Sequence, residues 1–92
     1  MIRSFRSRAL KRFWEKSDTR GLNPQHVRKI NRILALLEAA LEPEDLNQPG
    51  FDFHKLSGQS PPRWSVHVNG NWCVTFAFEE QDATAIDYED YH

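Results

Sequence analysis

The sequence predicts an α+β domain, two N-terminal helices packed on one face of a small antiparallel β-sheet, and three observations point to it. In the N-terminal half, Val27, Ile30, Leu34, Leu37 and Leu41 recur at spacings of three and four, the period of a helix with one buried face. In the C-terminal half, Trp64, Val66 and Val68, then Trp72, Val74, Phe76 and Phe78, alternate with other residues, the period of a half-buried strand. The helical patterns precede the strand patterns along the chain, an order that builds a helix layer on a sheet.

Taken in order, Ile2 to Phe5 alternates weakly and is compatible with a short opening strand. Ser7 can cap a helix whose apolar stripe is Leu10, Phe13 and Trp14, with Arg8, Arg12 and Lys16 on a neighbouring face. The run Ser17-Asp18-Thr19-Arg20-Gly21 ends it. Asn23-Pro24 starts the second helix, with asparagine as the cap and proline in the first helical position. Ile33, Leu36 and Ala40 widen its buried stripe, and Pro43 marks its end. His26, in its first turn, reads as a solvated residue. Glu42 to Gly50 reads as a connecting loop, Phe51 to Leu56 as a short strand, and Ser57 to Pro62 as a loop.

Apolar patterning fixes the register of the strand pair. A two-residue Asn-Gly turn would set the apolar face of one strand against the polar face of the other. A three-residue loop, Asn69-Gly70-Asn71, pairs Val68 with Trp72, Val66 with Val74 and Trp64 with Phe76, with one loop residue at positive φ. His67 and Cys73 then become cross-strand neighbours on the face away from the core. After a turn at Glu79 to Asp82, pairing Ile86 with Phe76 and Tyr88 with Val74 keeps the faces consistent. The same register sets Glu89 opposite Cys73, with Asp90, Tyr91 and His92 just beyond. By this parity Trp14, Trp64, Trp72 and Tyr88 belong to the core, and Tyr91 does not.

Ninety-two residues with 39% hydrophobic and 27% charged content make one globular domain, residues 1–92, without repeats or low-complexity tracts. A single cysteine excludes an internal disulfide and points to a reducing, cytoplasmic setting. The start carries no signal-peptide pattern, and no apolar segment approaches membrane-spanning length. The formal net charge of -1 conceals an asymmetry: residues 1–32 carry ten Lys/Arg against two acids, and residues 33–92 carry two against eleven. A basic half is the electrostatic footprint of a nucleic-acid binder, and it is equally the solvated face of two helices.

With these elements in place, the segment Trp64-Ser65-Val66-His67-Val68, the segment Asn71-Trp72-Cys73-Val74-Thr75-Phe76 and the final Tyr88-Glu89-Asp90-Tyr91-His92 resemble the HigB toxins of the RelE-like superfamily. Met1-Ile2-Arg3-Ser4-Phe5 fits the same family, so the resemblance covers essentially the whole chain. It implies a RelE-like microbial ribonuclease fold and an endoribonuclease that enters the ribosomal A site. There it cuts the mRNA codon by attack of the RNA's own 2′-hydroxyl, leaving a 2′,3′-cyclic phosphate and a 5′-hydroxyl, without a metal or other cofactor. It also implies a partner, a HigA-like helix-turn-helix antitoxin that silences the toxin and carries any contact with operator DNA.

Such chemistry needs a base, an acid and a cation for the phosphorane. The resemblance makes His54 and His92 the proton-handling or phosphate-contacting candidates, Tyr91 the group that stacks on or hydrogen-bonds the nucleotide, and Asp90 an orienting or base-contacting group. Histidine suits the task because its ordinary pKa is about 6.5. As the last residue given, His92 would also bear the α-carboxylate, which favours its protonated form. Arg6, Arg8, Arg12, Arg28 and Arg32 are candidates for RNA and ribosome contact. Two positions depart from the family. Cys73 stands where the family has an arginine, and Ser57 where it usually has lysine; Lys55 and Arg63 are the candidate replacement cations. Loss of the arginine clamp opens an alternative reading, a catalytically impaired homologue that only grips its antitoxin or the ribosome. A Cys/His nucleophile or a metal site built from His54, His67, Cys73 and His92 has no local ligand spacing behind it, so no metal is expected.

Overall fold

The computed structural model describes residues 1–91. Two helices, α1 (Arg8–Lys16) and α2 (Val27–Ala39), lie on one face of a four-stranded antiparallel sheet. The strands are β1 (His54–Lys55), β2 (Trp64–Asn69), β3 (Trp72–Glu79) and β4 (Asp82–Asp90), and their spatial order follows the chain. The predicted α+β architecture is the observed one.

Local chemistry sets the helix ends. The Ser7 side chain accepts from the Leu10 backbone N–H at 3.1 Å, and Ser17 closes α1 in the left-handed conformation. Asn23 caps a single turn of 3₁₀ helix, Pro24–His26, by accepting from the Gln25 N–H at 2.9 Å, and α2 continues directly from it. The helix is shorter than its apolar stripe suggests. Ala40 already has extended backbone, φ -70° and ψ 143°, because the chain must reach the extended Glu42 that Pro43 demands of its predecessor. Leu41, expected in the buried stripe, is therefore 61% exposed.

The core lies between the layers. Leu10, Ile30, Ile33, Leu34 and Leu37 meet Val66, Val74, Phe76 and Ile86, all fully buried. Phe51 and Leu46 from the connecting segment close one side, also fully buried. The opening residues run parallel to β4: Ile2 bridges Ala83 and Phe5 bridges Ile86, held by Arg3 N–H to Ala83 O and Arg6 N–H to Ile86 O, both at 2.8 Å. Arg3 locks this strap through Asp82 at 2.6 Å and Glu79 at 3.0 Å.

The register is the predicted one over most of the sheet. Trp64 pairs with Phe76, Val66 with Val74, His67 with Cys73, Val74 with Tyr88, and Cys73 with Glu89. Two irregularities depart from it. Asn69, not Val68, pairs with Trp72, so Val68 is the extra residue of a bulge beside Gly70, whose φ is +58°. A second bulge falls between Thr75 and Ala77, where Ala85 takes φ 49° on β4. That kink brings Ile86 to the N-terminal strap and into the core.

Candidate functional site

The sheet face turned away from the helices is polar. Cross-strand partners share a face, so one row reads His54, Ser65, Thr75, Asp87 and the next reads His67, Cys73, Glu89. Above them lies a cleft of about 410 Å³ lined by His54, Ser57, Ser65, Cys73 and Tyr91, together with Leu56 and Gln59. Three of the five residues expected to carry chemistry thus meet in one place.

His54 is exposed, and its Nδ1 lies 2.9 Å from the Asp52 carbonyl. A carbonyl only accepts, so Nδ1 carries the proton and Nε2 is left for a ligand. Tyr91 is 42% exposed and is fixed by its backbone N–H, which donates to the Asn71 carbonyl at 2.8 Å. Burial raises the Tyr91 hydroxyl above its ordinary pKa, the neighbouring Glu89 carboxylate pushes it the same way, and Arg63 opposes. Cys73 is half-buried, with Sγ 3.9 Å from the Asn71 carbonyl. Asp90 pairs with Trp72, a register that places it on the helix side of the sheet and away from Glu89. His92 lies outside the described residues.

Beneath the cleft lies the clearest departure from expectation. Arg63, a candidate replacement cation for RNA contact, is only 3% exposed. Its Nη2 donates to the Thr75 hydroxyl at 2.8 Å, and that hydroxyl in turn donates to the Glu89 carboxylate in a short hydrogen bond. Nη1 is buried with no acceptor among the described residues. Desolvation lowers the Arg63 pKa, as does the nearby Arg6, while Glu89 and Asp87 raise it; a guanidinium remains charged throughout. The site therefore has cationic character from below, although position 73 supplies none. The Leu56 N–H, donating to the Arg63 carbonyl at 2.8 Å, closes the base of the 57–62 loop.

The other basic residues do not join this cleft. Lys55 pairs with Trp64, whose ring stacks on Phe76, so Lys55 belongs to the opposite face. Arg8 and Arg12 line a groove along α1 with Lys11 and Lys16. Arg28 and Arg32 line a separate cavity of about 470 Å³ with Lys29 and Gly50, where Arg32 and Lys29 sit 5.1 Å and 5.5 Å from the centre of the Phe51 ring. Arg6 stands close enough to Arg63 to affect it electrostatically. Among the described residues, no three His, Cys, Asp or Glu side chains cluster as metal ligands would, and no helix is long and apolar enough to cross a membrane.

Sequence reasoning missed two polar arrangements. Glu89 had been placed opposite Cys73 by register, but nothing local marked it as a partner of Thr75. His26, read as solvated, is 3% exposed, with Nδ1 2.5 Å from the Tyr88 hydroxyl and its ring 5.9 Å from that of Trp72. The 3₁₀ turn before α2 rotates it inward, a change that no helical period encodes.

Comparison with known proteins adds to this geometry. A family model described as the RelE-like toxin of type II toxin–antitoxin system HigB matches residues 3–92. Over 92 residues, the full length of both chains, the sequence is 40% identical to Endoribonuclease HigB of Proteus vulgaris.

Proposed function

The chain belongs to the HigB-like, RelE-like toxins of type II toxin–antitoxin systems, and on that premise we propose that it is an endoribonuclease toxin that cuts mRNA codons in the ribosomal A site. The observation that supports this best is the convergence of His54, Tyr91, Cys73 and Glu89 on one polar face, with Arg63 beneath it. A cleft of this kind suits an RNA strand: an aromatic ring for a base, a histidine for a proton, and a buried cation where phosphate charge accumulates. The reaction we assign is attack of the 2′-hydroxyl on the adjacent phosphorus, releasing the 5′-oxygen, without a metal ion. His54 and His92 are its proton-handling or phosphate-contacting residues, and Tyr91 holds the nucleotide. Arg8, Arg12, Arg28 and Arg32 serve ribosomal RNA. The protein acts in the cytoplasm and is silenced by a HigA-like antitoxin, which carries any operator binding.

Cys73 favours a second reading, in which the chain has lost its phosphate clamp and binds antitoxin or ribosome without cutting. Inducible expression in a bacterium separates the two. Growth arrest with new mRNA ends inside translated codons supports the first reading. Normal growth, with antitoxin binding retained, supports the second.

A further inference from the structure

We propose that Glu89 is the proton acceptor for the 2′-hydroxyl, held in position by Arg63 acting through Thr75. The inference rests on the ribonuclease reading and deepens it by assigning the base.

Glu89 is the cross-strand partner of Cys73, which lines the cleft, and it neighbours Tyr91, which lines it too. A carboxylate beside a cleft meant for a polyanion opposes binding unless it has work to do or a cation to offset it. Here it has a cation. The Thr75 hydroxyl has one proton to give and gives it to Glu89, because Arg63 already donates to its oxygen. The fully buried threonine therefore transmits the orientation of the guanidinium to the carboxylate. Nothing in core packing calls for such an arrangement: Arg63 is buried at a desolvation cost, with Nη1 lacking an acceptor among the described residues. Positioning the carboxylate accounts for that cost.

In the step assigned, the proton of the 2′-hydroxyl passes to Glu89 as the 2′-oxygen bonds to phosphorus. The bond from phosphorus to the 5′-oxygen breaks, and that oxygen takes a proton from a histidine of the site. One proton is taken and one is given, leaving the cyclic phosphate and a 5′-hydroxyl. Glu89 is then a catalytic residue, and Arg63 and Thr75 are positioning residues.

Single-turnover cleavage of a defined mRNA on programmed ribosomes, measured across pH for the full chain and its variants, tests this. Glu89→Gln keeps an acceptor for Thr75 and removes the base. It is expected to slow cleavage by about 10²- to 10⁴-fold, abolish the rise of rate with pH on the acid side, and leave ribosome affinity unchanged. Thr75→Val is expected to slow cleavage with the same affinity, and Thr75→Ser to restore it. Cleavage by Glu89→Gln within threefold of the parent, or a loss accounted for by weaker binding with the pH profile intact, overturns the proposal while the ribonuclease reading stands. A parent protein that cuts nothing overturns both.

Discussion

Cys73 and Glu89 face each other across β3 and β4, a thiol that lines the cleft opposite a carboxylate beside it. The arginine that the resemblance implies at this position would set a cation beside that carboxylate. Cysteine leaves the charge to Arg63 below and Arg6 beside it.

Cys73→Arg is therefore expected to raise cleavage by about two orders of magnitude, the worth of one well-placed donor to a phosphorane. Pairing with Glu89 across the strands secures the new side chain without using all five of its N–H groups. Growth inhibition on induction should rise in parallel. Equal rates in parent and variant would mean that Arg63 already supplies the clamp.

His54→Ala and Tyr91→Phe each remove one group from the cleft wall without touching the core. His54→Ala is expected to reduce single-turnover cleavage by about 10² or more. Tyr91→Phe should fall less, because the ring that stacks on a base remains. His92→Ala should abolish cleavage. Thermal melting should be unchanged for the His54 and Tyr91 variants, since both side chains are exposed.

Much of this geometry was legible in the sequence, and the reasons are physical. The pairings of Val66 with Val74 and Tyr88 with Val74 follow from alternation alone, because a slip of one residue would turn every apolar side chain to solvent. That register carried His67, Cys73 and Glu89 to their places. The bulges at Val68 and Ala85 were not legible, because alternation has no sign for an inserted residue. Burial of Arg63 goes with its bond to Thr75 on a neighbouring strand, and burial of His26 with one 3₁₀ turn. Both are tertiary outcomes that override what polar residues do on average.

His26 gives the fold a pH dependence. Burial lowers its pKa below the ordinary 6.5. The unfolded chain therefore binds a proton at His26 before the folded one does, and stability is lost as pH falls from about 6.5 toward the lowered folded value. The melting temperature should drop between pH 7 and pH 5. Asp18 and Asp82, held below the ordinary carboxylate range by Arg20 and Arg3, contribute only at more acidic pH. In His26→Gln the drop between pH 7 and pH 5 should be largely absent, and an unchanged slope would rule out this histidine as its source.

Gly21 is confined by α1 rather than by its own backbone. A Cβ at this position would stand 2.7 Å from the Ala9 Cβ, closer than two such carbons approach. Gly21→Ala is expected to destabilise the fold by about 1–3 kcal/mol in denaturant unfolding, the cost of overpacking a rigid contact. A loss below a few tenths of a kcal/mol would show that the 17–22 loop yields easily.

The most direct test of the central claim is cleavage of an mRNA on the ribosome by the purified protein, with the nucleotide 5′ to the cut carrying either a 2′-hydroxyl or a 2′-hydrogen. The ribose substrate should be cut, with a 2′,3′-cyclic phosphate on one product and a 5′-hydroxyl on the other, and the deoxy position should stay intact. Equal cutting of both substrates would contradict that claim.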